Sequence, residues 1–229
     1  MTASPDASTA IWQDPDFARG WASRDTMEDM LTLPRQMAAA IVRQERPQTR
    51  MVLDIASGPG AFLEYFLDAF PDAHGVWSDA SETMLETAHE RLDRFGDRVT
   101  FILADMNDLA SAGLPEGVDV VTSSRASHHL DPVALTAFYQ AAAGHVAAGG
   151  WLINLDHIFP GEPWNARLRQ VKKEFGSKAS QGDGPKHHHN YPLPSIADHL
   201  HGYEAAGISE VDVPWRSFYS CLLVGHLAD

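Results

Sequence analysis

The passage from Met51–Ile55 into residues 56–60 constrains this chain more than any other. Met-Val-Leu-Asp-Ile is a short apolar run of the kind found in strands covered on both faces. It breaks into Ala56-Ser57-Gly58-Pro59-Gly60, after which residues 61–70 read as a helix that stops at Pro71. A strand that turns through glycines into a helix is the first half of a βα unit. Gly58 and Gly60 lack the Cβ atoms that would hold a ligand away from the backbone. In an open α/β sheet such a turn lies beyond the carboxyl end of a strand, where ligands bind. A glycine turn also serves tight turning alone, so its meaning depends on the rest of the chain.

Downstream of the turn the same unit repeats. Strand signals at 75–78, 99–103, 118–122 and 151–155 alternate with helical ones at 81–95 and 133–146. Ser81 is placed to cap the first of these helices, and Asp131-Pro132 opens the second. Repeated βα units imply parallel strands joined by right-handed crossovers, with helices on both sheet faces. The ending differs: a helix at 196–206 precedes strands at 208–213 and 217–227, joined by residues 214–216. That joint is too short for a parallel crossover, so the last pair is expected to be antiparallel. Ahead of the sheet, residues 1–9 are small and polar and are expected to be disordered. Residues 11–45 read as helical, punctuated by Pro15 and Pro34, with Leu33, Met37 and Ile41 along one face of a helix at 33–42 that Pro47 closes.

Carboxylates recur at successive strand ends. Asp79 ends the second strand about twenty residues past the glycine turn, where such a group accepts ribose hydroxyls. Asp105-Met106 follows the third strand, and Thr122-Ser123-Ser124-Arg125 the fourth, with His128-His129 just beyond. A nicotinamide dinucleotide fold shares the βαβ start but needs a third glycine, and that position is Leu63. No Gly-Lys-Ser/Thr follows the glycines, which sets aside a phosphate loop.

Together, Asp54-x-x-x-Gly58-x-Gly60, Asp79, Asp105-Met106 and the reversed last strand resemble the class I S-adenosylmethionine-dependent methyltransferases, from about Thr49 to Leu227. The small-molecule branch with the ubiquinone and menaquinone methyltransferases looks nearest, since a His-His-Leu follows its fourth strand as well. The resemblance implies an α/β, Rossmann-like seven-stranded sheet with an antiparallel last strand, and S-adenosylmethionine as cofactor. It implies that the turn at Asp54, Ala56, Gly58 and Gly60 passes the methionine part. Asp79, with Ala80 beside it, would hold the ribose, Asp105 would meet the adenine amino group, Met106 would pack on the ring, and Ser123 would lie beside the sulfonium.

The chain is expected to be one domain of 229 residues. It would divide into N-terminal cap helices (1–48), a cofactor-binding core (49–157), a cap insertion (158–194) and the rest of the core (195–229). A formal net charge of -14 disfavours nucleic acid and anionic membrane as partners. No signal-peptide pattern or membrane-length apolar run appears, so the expectation is a cytoplasmic protein with a small-molecule acceptor. A homodimer is compatible with this reading. Cys221 is the single cysteine and reads as a small buried hydrophobe.

For the acceptor side, His129, His157 and His188 are the candidate catalytic residues. Trp21, His128, His187, His189 and Tyr191 are the candidate substrate contacts. His128 and His129 are adjacent and are expected to point apart, one of them structural. The imidazoles, with Asp156, suit a polar pocket with a base better than a metal site, because no fixed ligand spacing appears. Phe17, Trp21, Met27, Met30 and Leu33 are together candidates for a water-excluding lid. Arg35 is read as a solvated helix charge or a partner for a cofactor carboxylate, and His199 and His201 as surface residues. The expected activity is methyl transfer to N or O, or to C, of a small molecule. The competing readings are metal-assisted transfer to a chelating acceptor, an enzyme that modifies the cofactor itself, and a binding protein without catalysis.

Overall fold

The computed structural model describes residues 14–25, 29–174 and 192–229. Its centre is a seven-stranded sheet: β1 (Met51–Ile55), β2 (His74–Asp79), β3 (Val99–Leu103), β4 (Val118–Ser124), β5 (Val146–His157), β6 (Glu210–Ser217) and β7 (Ser220–His226). The spatial order is β3-β2-β1-β4-β5-β7-β6. Strands β1 to β5 run parallel to one another, and β7 runs antiparallel to both β5 and β6. The strand order therefore reverses between β1 and β4, and every parallel strand ends on one edge of the sheet. The expected fold is the one observed.

Helices α1 (Pro15–Asp25), α2 (Thr32–Glu45), α3 (Ala61–Ala69), α4 (Glu82–Leu92), α5 (Pro132–Gly144), α6 (Trp164–Glu174) and α7 (Ile196–Ala205) accompany the sheet. Alternation along the strands divides the core into two layers. Val120, Ile153, Leu155, Leu222 and Val224 face the side where Val42 of α2, Phe62 and Phe66 of α3 and Met84 of α4 pack. Leu53, Ile55, Val121, Leu152 and Leu223 face Phe138 and Tyr139 of α5 and Tyr203 of α7. Ser81 caps α4 by accepting a hydrogen bond from Met84 N, and Asp131 caps α5 through Val133 N and Ala134 N.

Several boundaries differ from the sequence expectation for identifiable reasons. The sequence places residue 214 in the connection between the last two strands, yet β6 runs through Pro214. It is an edge strand, and its register with β7 shifts between Asp212 and Trp215, so the missing N–H breaks no regular ladder. The reversal instead falls at Phe218-Tyr219, with Phe218 at φ 48°. Strand β5 begins at Val146 rather than 151, because Gly149 at φ 65° lets the chain kink and rejoin β4 across a shifted register. Pro34 does not punctuate α2, since it lies in the first turn, where backbone N–H groups have no intrahelical partner. Helix α4 ends at Leu92 and passes into a 3-10 segment through Arg98. Of the proposed lid residues, Phe17 is buried, whereas Met30 and Leu33 are 48% and 54% exposed. Met27 and residues 1–9 lie outside the described residues.

Candidate functional site

The edge where β1 to β5 end carries the polar groups that the core excludes. At the tip of β1, Asp54 is fully buried. It accepts hydrogen bonds from Ser57 Oγ at 2.5 Å and from Thr122 Oγ1 of β4 at 2.8 Å. Burial pushes its carboxyl up to about 6, while Ser57, Thr122, the backbone at Leu63 and the charge of Arg35 work the other way. Asp54 thus ties the turn to β4 from below, and its oxygens are committed to that task. Arg35 is itself buried at 5% exposure, which corrects the solvated-charge reading. It projects from α2 toward Asp54, with its guanidinium 6.0 Å from the Tyr65 ring.

The turn is held in an unusual backbone state. Ala56 has φ 52°, Gly58 φ 54° and Gly60 φ 80°. Ala56 carries a steric penalty there that a glycine would not, and such strain concentrates at ligand sites. At Gly60 both φ and space require glycine, because a Cβ would lie 2.8 Å from the Leu92 side chain. At Gly58 the nearest atom to a Cβ would be the Met84 sulfur at 4.0 Å, so this face of the turn is open. Gly58 N donates to Asp79 Oδ2 at 2.8 Å, and Ser81 N donates to Asp79 Oδ1 at 2.9 Å. Burial raises the Asp79 carboxyl, and the Ser81, Gly58 and Ala80 amides oppose it. Asp79 is therefore clamped over the turn and fixes the spacing of the β1 and β2 tips. Ala80 beside it is exposed.

Beyond β3, Asp105 is exposed and accepts from Asn107 N and Asn107 Nδ2. Its charge is close enough to Asp79 to raise that carboxyl further. Met106 is half-buried and packs on the core layer that contains Ala104 and Leu109. Ser123 of β4 is 1% exposed, and its Oγ has no hydrogen-bond partner among the described residues; the same holds for Ser78 and Ser124. Unsatisfied buried hydroxyls at neighbouring strand ends are expected where a polar ligand completes the bonding. The site thus fits a nucleoside with an amino-acid tail: open glycine backbone, paired carboxylates and donors in reserve.

On the other side of the β1/β4 reversal lies a second cluster. Residues 127–129 form a single 3-10 turn after β4, which brings Ser127 and His128 onto Asp156 of β5. The Asp156 carboxylate receives Ser127 Oγ at 2.5 Å, His128 N at 2.9 Å, His128 Nδ1 at 2.5 Å and His157 N at 2.7 Å. Burial works to raise this carboxyl, but His128, His199 and His157 hold it well below the usual carboxylate range. The rings of His128 and His129 lie 4.1 Å apart, so they sit side by side rather than pointing apart as the sequence suggests. His157 meets the His128 ring edge-on at 5.0 Å, and its Nδ1 lies 3.2 Å from Ser220 Oγ.

Of the remaining candidates, Trp21 lies in the second half of α1, where only the backbone is described, and His187, His188, His189 and Tyr191 lie outside the described residues. Among the described residues, no three His, Cys, Asp or Glu side chains group so as to hold a metal. His201 is exposed as expected, but His199 is fully buried, against the sequence expectation. It faces inward from α7 together with Gly202 and Tyr203. Sequence reading also passes over Ser127, Tyr139 and Asn154, which join this cluster. The one signal for it is the 199, 202, 203 spacing, which marks a single helix face. Cys221 is buried, and burial pushes its thiol up to about 12.

Residues 52–150 match a family described as methyltransferase domain. The chain is 32% identical over 110 residues to a 3-amino-4-hydroxybenzoate 4-O-methyltransferase of Streptomyces cremeus, a match over 48% of this chain and 29% of that enzyme. Among solved structures it resembles an O-methyltransferase family protein from Burkholderia thailandensis (TM-score 0.69, 20% identity, 94% of this chain and 61% of that one). It also resembles human N-acetylserotonin methyltransferase in complex with S-adenosylmethionine (TM-score 0.70, 11% identity, 100% of this chain and 61% of that one). The chain spans less than two thirds of each of these relatives.

Proposed function

We propose that this chain is a class I S-adenosylmethionine-dependent methyltransferase and that it transfers a methyl group to a hydroxyl oxygen of a small-molecule acceptor. The observation that carries this reading is the division of the strand-end edge. A glycine turn clamped by Asp79 lies on one side of the β1/β4 reversal, and a histidine held by a buried carboxylate lies on the other. When bound, S-adenosylmethionine supplies an electrophilic methyl on a sulfonium. The turn at Ala56, Gly58 and Gly60 would receive its amino-acid end, Asp79 its ribose and Asp105 with Met106 its base; Asp54 holds the turn from beneath.

The acceptor side then needs a group to take the hydroxyl proton as oxygen attacks. Asp156, kept ionised, holds the Nδ1–H of His128, and an imidazole held in this way works through Nε2. His128 accordingly joins His129, His157 and His188 as a candidate base. In balance, the O–H proton passes to imidazole, an O–CH3 bond forms, and the C–S bond breaks with its electron pair returning to sulfur. Oxygen rather than nitrogen is favoured by the O-methyltransferases that this chain resembles and by the presence of an oriented base. A hydroxyl needs deprotonation, whereas a neutral amine does not.

The test combines calorimetry with mass spectrometry. S-adenosylmethionine should bind, and incubation with a panel of hydroxylated aromatic acids should yield S-adenosylhomocysteine and a product heavier by one methylene. Binding without turnover on any acceptor would replace the enzyme reading with that of a binding protein. A nucleoside product of another mass would mark a cofactor-modifying enzyme. Loss of turnover on dialysis against chelator would bring in the metal-assisted alternative.

A further inference from the structure

The His128–Asp156 pair is one end of a longer buried chain. His199 Nδ1 on α7 lies 2.7 Å from Tyr139 Oη on α5. Asn154 Nδ2 on β5 donates both to Tyr139 Oη and to Ser127 Oγ, each at 2.8 Å. Ser127 Oγ then donates to Asp156, whose other oxygen receives His128. Tyr139, Asn154, Ser127, Asp156 and His199 are all at 0–1% exposure.

The proton positions follow from chemistry. An ionised Asp156 only accepts, so the Ser127 hydroxyl hydrogen points to it. Ser127 must then accept from Asn154, which fixes the Asn154 amide nitrogen toward Ser127 and Tyr139. Tyr139 Oη accepts that second amide hydrogen and must direct its own hydrogen to His199 Nδ1. In that arrangement, which gives the Tyr139 hydroxyl hydrogen an acceptor, His199 is the neutral imidazole with the proton on Nε2. Burial lowers its pKa in the same direction, although Asp156 and Asp198 partly oppose this. Because Asn154 donates both ways, the chain is a lock and not a proton wire.

We propose that His199 is a positioning residue. By taking the Tyr139 hydrogen, it sets the direction of every donor down to Asp156 and so sets the proton affinity of His128. This rests on the reading of the His128–Asp156 pair as the proton acceptor. The groups that face the pair are Asp156 and His157 from β5, His129 beside His128, His199 and Asp198 from α7, Tyr139 from α5 and Cys221 from β7.

Breaking the lock slackens the Ser127 bond to Asp156, leaving the carboxylate to hold the His128 proton more tightly. The experiment follows the histidine C–H resonances by NMR across pH in the full chain, alongside the pH profile of methyl transfer. His199→Phe and Tyr139→Phe should raise the His128 titration by about half a pH unit or more. The acid limb of kcat should shift equally, with KM for S-adenosylmethionine unchanged. His199→Asn, whose side-chain oxygen lies near the position of Nδ1, should restore the wild-type titration.

An unmoved His128 titration in a folded Tyr139→Phe protein would overturn the proposal, as would failure of His199→Asn to rescue. A moved titration in a protein that methylates no acceptor would leave the lock standing and remove the catalytic reading instead.

Discussion

Asp54 is a fully buried carboxylate and Asp79 a half-buried one near the glycine turn, and substituting each should have a different effect. The Asp54 carboxyl sits at about 6 in the folded chain against 3.8 as the reference value. A raised folded pKa contributes stability below the unfolded value, and that contribution is lost as pH rises through 6. Between pH 5 and 7.5, wild type should therefore lose roughly 1–2 kcal/mol relative to Asp54→Asn. Urea denaturation at both pH values checks this; Asp156, ionised in folded and unfolded chains above pH 5, does not contribute there. Asp79→Ala should leave folding largely intact while freeing the Gly58 and Ser81 amides. S-adenosylmethionine binding should then weaken by roughly 10–100-fold in calorimetry, the scale for lost hydrogen bonds to a charged group. The turn and Asp79 were legible in the sequence because they follow one another closely along the chain and obey a strand-turn-helix grammar. The pairing of Asp156 with Ser127 and His128 was not. It depends on the register of β4 against β5 and on a 3-10 turn that places two successive residues on one carboxylate. No local pattern encodes either.

At the scale of elements, the contact between α5 and α7 supports the buried cluster around Asp156. Gly202 is the point of closest approach: a Cβ there would lie 2.2 Å from the Tyr139 ring. Gly202→Ala should thus force the helices apart, costing about 2–3 kcal/mol in chemical denaturation. It should also lengthen the Tyr139–His199 bond. A double mutant with Tyr139→Phe should then show strong non-additivity. Helix α7 starts with a capping box in which Ser195 and Asp198 exchange hydrogen bonds, so Ser195→Ala should cost about 1 kcal/mol in the same assay. The sequence announced this helix clearly but concealed its buried face. Asp198, Leu200, His201 and Glu204 surround His199 with exposed neighbours, and its partner Tyr139 lies 60 residues away. Likewise, the sequence places Pro214 in a connection and starts the fifth strand only after Gly149-Gly150. Their tolerance comes from an edge position and a bulge, which only the assembled sheet defines.

For the whole molecule, alternation of βα units and the reversed β7 were enough to give the sheet, since topology follows from connection length and strand handedness. A net charge of -14 on a chain of this size makes the folded state self-repelling. Raising sodium chloride from about 10 mM to about 300 mM shortens the screening length several-fold. The melting temperature should therefore rise with salt; a fall would show that surface ion pairs such as Arg94 with Asp68 and Glu64 outweigh the repulsion. Finally, Cys221 sits on β7 directly across from Asp156 of β5, with no exposed surface and a thiol held almost wholly protonated at neutral pH. It is also the only sulfhydryl in the chain. Alkylation of this protein is thereby a clock with a single hand. Its rate measures how often the middle of the sheet opens, and a bound ligand that braces the strand ends should slow it.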